Sequence, residues 1–191
     1  MSRMTPERLE ELYLGTLALV AQHGFDNVTM DQVAAATKSS KATLYRQWGS
    51  KGALVVEALQ CTSAKMEELP NTGTLRGDLR EMFSMRDKDH DGEELMGAIM
   101  HAMKQDPELA KAVREQILQP VHDRIGTFLD RAIERGEIAA DSPALSHVNL
   151  ALLAPFVLQE CLTGAEPSAE FLYSYIDGLI LPALGVTPPT P

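Results

Sequence analysis

The chain has 191 residues, 45% of them hydrophobic and 23% charged, with a formal net charge of -10. That is enough for a real core in one large domain, or in one small and one larger. No apolar run approaches the ~20 residues of a membrane-spanning helix, no apolar h-region marks secretion, and Cys61 and Cys161 have neither zinc nor redox spacing, so reduced thiols in the cytoplasm are expected.

Thr5 caps a first helix, with Pro6 at its first position and Glu7 at its positive end. Leu9, Leu12, Thr16, Leu19 and Val20 carry the helical spacing to about His23, and Gly24 closes it. Phe25 is expected to plug the core beside this helix. Arg3 could reach a phosphate, but a solvated tail is the simpler reading.

The stretch from Thr29 to Lys51 organises the rest. Thr29 and Gln32 form a capping box, and Val28 and Val33 a hydrophobic staple, so Met30 to Ala36 is a short helix. Thr37, Lys38 and Ser39 suit a tight turn. Ser40 caps a second helix from Lys41 to about Trp48, with Leu44 and Trp48 on one face, and Gly49 ends it. Two short helices joined by a few turn residues make a helix-turn-helix, whose second helix fits the DNA major groove. Lys38, Lys41, Arg46 and Lys51 lie here with no acid between Thr37 and Lys51, beside the hydroxyls of Ser39, Ser40, Thr43 and Tyr45. Such a surface suits phosphates and base edges, although helix-turn-helix geometry also recurs in proteins that never touch DNA.

Residues Gly24 to Val55, GFDNVTMDQVAAATKSSKATLYRQWGSKGALV, resemble the N-terminal DNA-binding domain of the TetR family of bacterial transcriptional regulators. The similarity covers roughly residues 9 to 58. The family turn carries Gly and then Val where Lys38 and Ser39 stand here; the missing Val is expected to weaken packing under the second helix. By residue-level carry-over, Lys41, Ala42, Thr43 and Arg46 match base-facing positions. Thr29, Tyr45, Gln47 and Lys51 match phosphate-contacting positions, Lys38 and Ser40 join them, and Leu44 and Trp48 match core positions.

The charge distribution agrees with that reading. Residues 1–60 hold six Lys/Arg and six Asp/Glu, whereas residues 61–191 hold eleven and twenty-one. An acidic body presents one attractive face to the phosphate backbone.

From Ser50 a connecting helix is predicted to about Leu69, ended by Pro70 to Gly73, and a further helix spans about Leu75 to Arg86. Residues 87–92 open like a calcium loop, but Glu94 and Ala98 stand where the pattern needs an apolar residue and a bidentate Glu, so an exposed acidic loop is the better reading. Glu93 to Gln105 is helical, and Asp106-Pro107-Glu108 starts another helix that Pro120 interrupts. A helix from Val121 to Gly136 follows. The last two, about Ser142–Thr163 and Ser168–Leu184, are apolar on more than one face, so each is expected to meet the core on one side and a second subunit on the other. Leu152 and Ile180 are assigned to that subunit face, and the Pro-rich end from Thr187 to disorder.

The domain division expected is a DNA-binding head over 1–50, a connecting helix over 51–69 and a ligand-binding and dimerisation domain over 70–191. The fold class is all-α: a three-helix head joined to a helical C-terminal domain. No HExxH, paired-Cys, GxGxxG, GxxxxGK[ST] or GxSxG pattern occurs, so neither an enzyme nor a metal or cofactor site is expected. Five of nine methionines, Met82, Met85, Met96, Met100 and Met103, fall on two neighbouring helices. On pattern alone they are core filler; flexible thioethers also line adaptable apolar sites. The family resemblance implies a small effector bound there, with His101, His122, Phe83, Phe128 and Phe156 adding polar and aromatic groups.

The resemblance thus implies a homodimeric repressor, released from a palindromic double-stranded DNA operator by a small, mainly apolar molecule. The alternatives are an activator or global regulator of the same fold without an inducer, or a helical adaptor or enzyme that does not use its helix-turn-helix.

Overall fold

A computed structural model describes residues 4–62, 69–84, 92–165 and 167–187, the side chains of 92–94, 160 and 161 excepted. Arg3, Met85, the acidic loop over 87–91, the end of the connecting helix over 63–68 and the final residues 188–191 lie outside that description, as does the Cys161 side chain. All regular structure among the described residues is helical.

Local chemistry sets the helix ends. In α1 (Pro6–His23) the Thr5 hydroxyl accepts from Arg8 N, and Gly24 ends the helix at φ +78°, where a side chain would be strained. In α2 (Met30–Ala36) Thr29 Oγ1 accepts from Gln32 N at 3.3 Å, while Gln32 Oε1 accepts from Thr29 N at 2.7 Å. Val28 and Val33 are buried beside that cap. α3 (Lys41–Trp48) starts at Ser40, whose hydroxyl accepts from Thr43 N at 3.1 Å, and stops at Gly49. The remaining helices are α4 (Lys51–Thr62), α5 (Leu75–Ser84), α6 (Gly92–Gln105), α7 (Pro107–Val113), α8 (Gln119–Glu134), α9 (Val148–Thr163), α10 (Ala169–Tyr175) and α11 (Leu181–Ala183).

Pro120 does not interrupt its helix as the sequence predicts. A proline has no N–H for the carbonyl four residues back, and its ring crowds that carbonyl. Here Arg114–Leu118 widens into a π-helical turn that relieves the crowding, and helical geometry continues through Gln119. The freed Gln116 carbonyl accepts instead from Gln60 Nε2 of α4 at 3.2 Å. Pro182 follows a second π-helical turn, Ile176–Ile180. Pro155 lies inside α9, and the Ala151 carbonyl four residues back accepts from Tyr175 Oη at 3.1 Å.

The chain packs as two units, Met1–Lys65 with Lys88–Pro120, and Met66–Asp87 with Val121–Pro191. The first buries Leu12, Tyr13 and Val20 of α1, Val33 of α2, Leu44 and Trp48 of α3, and Leu54 and Val55 of α4. Ile99 and Ala102 of α6, with Leu109 and Val113 of α7, close the same core. The second unit gathers Leu75 and Leu79 of α5, Phe128 and Leu129 of α8, Leu152 of α9, and Ile176, Ile180 and Leu184 of the last helical segment.

Leu152 and Ile180 are therefore core residues, 1% and 2% exposed, and not the subunit face expected from the sequence. The outward stripe of α9 is carried by Leu150, Val157, Leu158 and Leu162, and Leu179 projects from the last segment. Periodicity marks two apolar stripes on such a helix but does not say which one meets its own core.

Polar clamps tie α5 into the second unit. Asp78 is fully buried; its Oδ1 accepts from Thr72 N at 2.6 Å and Thr72 Oγ1 at 2.9 Å, and its Oδ2 lies 3.5 Å from Arg135 Nη2. Arg76 donates through two nitrogens to the two oxygens of Asp177, both at 2.7 Å. This pairing holds the Asp177 carboxyl below its ordinary 3.8. A depressed carboxylate stabilises the fold above its unfolded value and loses that contribution as pH falls through the folded one. Acid titration by circular dichroism is therefore expected to unfold wild type below about pH 4 more steeply than Asp177→Asn, which starts less stable at neutral pH.

Candidate nucleic-acid interface

α2 and α3 present two kinds of surface. Leu44 and Trp48 are buried, and Trp48 packs edge-on against Tyr13 with ring centroids 6.1 Å apart. Opposite them Lys41, Ala42, Tyr45, Arg46 and Gln47 are exposed, while Thr43 is half-buried with its hydroxyl 2.8 Å from that of Ser40. Base-facing candidates and the phosphate candidates Tyr45 and Gln47 thus lie around the part of α3 that the core does not cover. Thr29 and Ser40, exposed caps of α2 and α3, lie at the helix N-termini, where backbone N–H groups favour anions.

Lys38 adopts φ +48°, the conformation that the family fills with Gly. A side chain there costs on the order of 1 kcal/mol, yet it leaves an exposed cation beside α3. Arg8 of α1 secures the turn from below: its guanidinium donates to the Thr37 carbonyl and to Ser39 Oγ, the latter at 3.4 Å. Ser39 is half-buried and hydrogen-bonded at the place where the family carries an apolar Val. Arg8 sits about thirty residues before its partners, with no local pattern to announce them.

Lys51, expected from the sequence at a phosphate, has other partners in the unbound chain. Its ammonium turns inward, donating to the carbonyls of Phe25 and Val28, the latter at 2.7 Å, and lies 4.1 Å from the Phe25 ring centre. Burial pulls it below the usual lysine range, against the attraction of Asp26 and Asp106. Lys41 reaches across from α3 to Asp31 in the first turn of α2, Nζ to Oδ2 2.8 Å. That hydrogen bond raises the Lys41 pKa.

The expected methionine cluster is divided between the two units. Met82, Phe83, Phe128 and Phe156 belong to the second; Phe83 and Phe156 lie 5.3 Å apart, and Phe128 is fully buried. Met96, Met100, Met103 and His101 belong to the first. There Met96 and Met100 are 42% and 37% exposed, Met103 packs against the core, and His101 lies 4.0 Å from Asp26. His122 on α8 is exposed. The thioethers at 96 and 100 sit one turn apart on α6, on a side that the first unit's core leaves open.

A cleft of about 600 Å³ in the first unit is lined by Lys51, Glu57, Gln60, Asp106, Leu109 and Gln116 among others. Its polar groups are largely spent on the fold. Glu57 accepts from Tyr13 Oη, Asp106 caps α7, Gln60 holds Gln116, and Lys51 holds the two carbonyls. Among the described residues no trio of His, Cys, Asp and Glu could hold a metal, and no helix is long and apolar enough to cross a membrane.

The chain matches two family models: "Bacterial regulatory proteins, tetR family" over residues 12–58, and "Tetracyclin repressor-like, C-terminal domain" over residues 69–179. An uncharacterised HTH-type transcriptional regulator of Mycobacterium bovis is 31% identical over 93% of this chain and 88% of its own length. The DNA-binding transcriptional repressor TetR of Mycobacteroides abscessus is 33% identical over 65% of this chain and 67% of its own. Among solved structures, a TetR-family regulator from Rhodococcus sp. shares the fold with a TM-score of 0.73 at 15% identity, covering 93% of this chain and 98% of that one.

Proposed function

The chain belongs to the TetR family of bacterial transcriptional regulators, and from that premise we propose that it is a cytoplasmic homodimeric repressor that binds a palindromic operator and leaves it when a small, mainly apolar effector binds. The observation that carries this reading is the capped helix-turn-helix, with Leu44 and Trp48 seated in the core while Lys41, Ala42, Tyr45, Arg46 and Gln47 stay exposed on α3. Two copies related by a two-fold axis would set two such helices one DNA turn, roughly 34 Å, apart.

The division of labour proposed is a reading head over 1–50, a connecting segment over 51–69 and an effector and dimerisation region over 70–191. α6 and α7 share the core of the head's compact unit, which gives residues beyond 70 a physical hold on α1 and α4. Effector binding is assigned to the second unit, where Met82, Phe83 and Phe156 offer a partly buried thioether and two aromatic rings. Release of DNA then requires that the effector prefer the state in which the two heads are misaligned.

Arg46 tests the head. Its guanidinium has the forked donors that suit guanine, and among the described residues no salt bridge holds it. Arg46→Ala is expected to weaken binding to a site selected from random duplexes by about 1–3 kcal/mol and to relax preference at one position per half-site. Fluorescence anisotropy on the selected site and its single-base variants measures both. Uniform weakening on every sequence would assign Arg46 to phosphate.

A further inference from the structure

Asp31 is the only acidic residue between Asp26 and Glu57, so it is the one carboxylate in the helix-turn-helix itself. It is exposed, 66%, and its partner Lys41 is 53% exposed. An exposed pair of this kind adds little to stability. A carboxylate on a face that must approach phosphates also works against affinity. Its place in the first turn of α2 gives the carboxylate a modest favourable role at the helix end, but that role calls for no partner on α3. What the pair does provide is a donor and an acceptor 2.8 Å apart, one from α2 and one from α3, each fixing the other.

In the major groove a G·C pair shows two adjacent acceptors, guanine N7 and O6, followed by one donor, the cytosine amino group. An ammonium beside a carboxylate complements that order. At an A·T pair the single amino donor lies between two acceptors, so a carboxylate reaching for it is repelled on both sides. We propose that Asp31 and Lys41 act as one unit that reads a G·C base pair in each half-site, Lys41 donating to guanine and Asp31 accepting from the cytosine amino group. The carboxylate is then a discriminating group, since it penalises every register in which no cytosine amino group meets it. This rests on the reading of α3 as the recognition helix.

The test is site selection from a library of random-sequence duplexes with wild type, Asp31→Asn and Lys41→Met, followed by anisotropy titrations on the selected site, its single-base variants and a random duplex. Wild type should select G·C at one position in each half-site. Both variants should lose that preference by about tenfold at the same position and keep the others, and the double variant should lose no more than either alone. On the random duplex Asp31→Asn should bind several-fold tighter and Lys41→Met more weakly. Retention of the wild-type selection by either variant, loss at different positions, or selection of A·T there would overturn the proposal. Wild type that is folded by circular dichroism yet binds no duplex would overturn the DNA-binding reading beneath it. If Asp31 served only the α2 N-terminus, its variant would change thermal stability and leave the selected sequence unchanged.

Discussion

Leu158→Glu should give a folded monomer, and Leu152→Glu should give no folded second unit at all. The two residues lie on one helix and were indistinguishable by hydrophobicity, yet Leu158 is 51% exposed and Leu152 is 1% exposed. Leu150, at 74%, and Leu162, at 79%, flank Leu158 on the outward stripe, and Leu179 adds a further exposed side chain from the last segment. A stripe of this kind is far more apolar than a monomer's surface needs, and a second copy is the occupant that the proposed two-fold DNA binding calls for. A carboxylate at its middle would be desolvated in the dimer without a partner, costing on the order of several kcal/mol of association while leaving each subunit's core intact. At Leu152 the same carboxylate would be buried among Leu75, Phe128 and Ile176, a cost of more than ~4 kcal/mol that approaches the whole stability of a domain. Sedimentation velocity with far-ultraviolet circular dichroism separates the two outcomes. If Leu158→Glu sediments as wild-type dimer, the subunit contact lies elsewhere.

The difference between those two leucines shows how far the sequence could be read. Features with short-range causes were legible. Thr29 with Gln32, Ser40 before α3, Gly24 and Gly49 at helix ends, and Asp106 before Pro107 each set a boundary through a bond or a dihedral within a few residues. The burial of Leu44 and Trp48 followed from spacing four apart. Interactions between distant segments had no such signal. Nothing near Arg8 indicates Thr37, and nothing near Lys41 singles out Asp31, because helix packing makes those pairs. Pro120 was misread for a related reason. A proline removes one hydrogen bond locally, but whether the helix breaks or widens depends on what else satisfies the carbonyl, here Gln60 from another helix. The methionines have no such local cause either: Met82 and Met100 are close in sequence but belong to different compact units.

Lys51→Met should destabilise the protein by about 2–3 kcal/mol without changing the salt dependence of DNA binding. The position itself is unfavourable for a cation, because Lys51 is the first residue of α4 and meets the positive end of the helix dipole. Its ammonium is compensated by two carbonyls of the α1–α2 loop, Phe25 and Val28, and by the Phe25 ring face. Phe25 and Val28 are 6% and 1% exposed, so their carbonyls lie where water is a poor substitute. Methionine keeps the apolar stem and removes the charge, leaving both acceptors without that donor. Charge-assisted bonds of this sort contribute ~1.5–3 kcal/mol each, and the half-exposed ammonium, screened by solvent, argues for a value at or just below the lower end of their sum. Loss of this clip frees the entry to α2 from the start of α4, so DNA affinity should fall because the head is less often in its binding geometry. A phosphate contact would behave differently: stability would hold, and the slope of log affinity against log salt would flatten by about one. Urea unfolding alongside titrations at several salt concentrations decides between the two, and a Lys51→Met protein of wild-type stability with a flattened slope would return this lysine to the phosphate face.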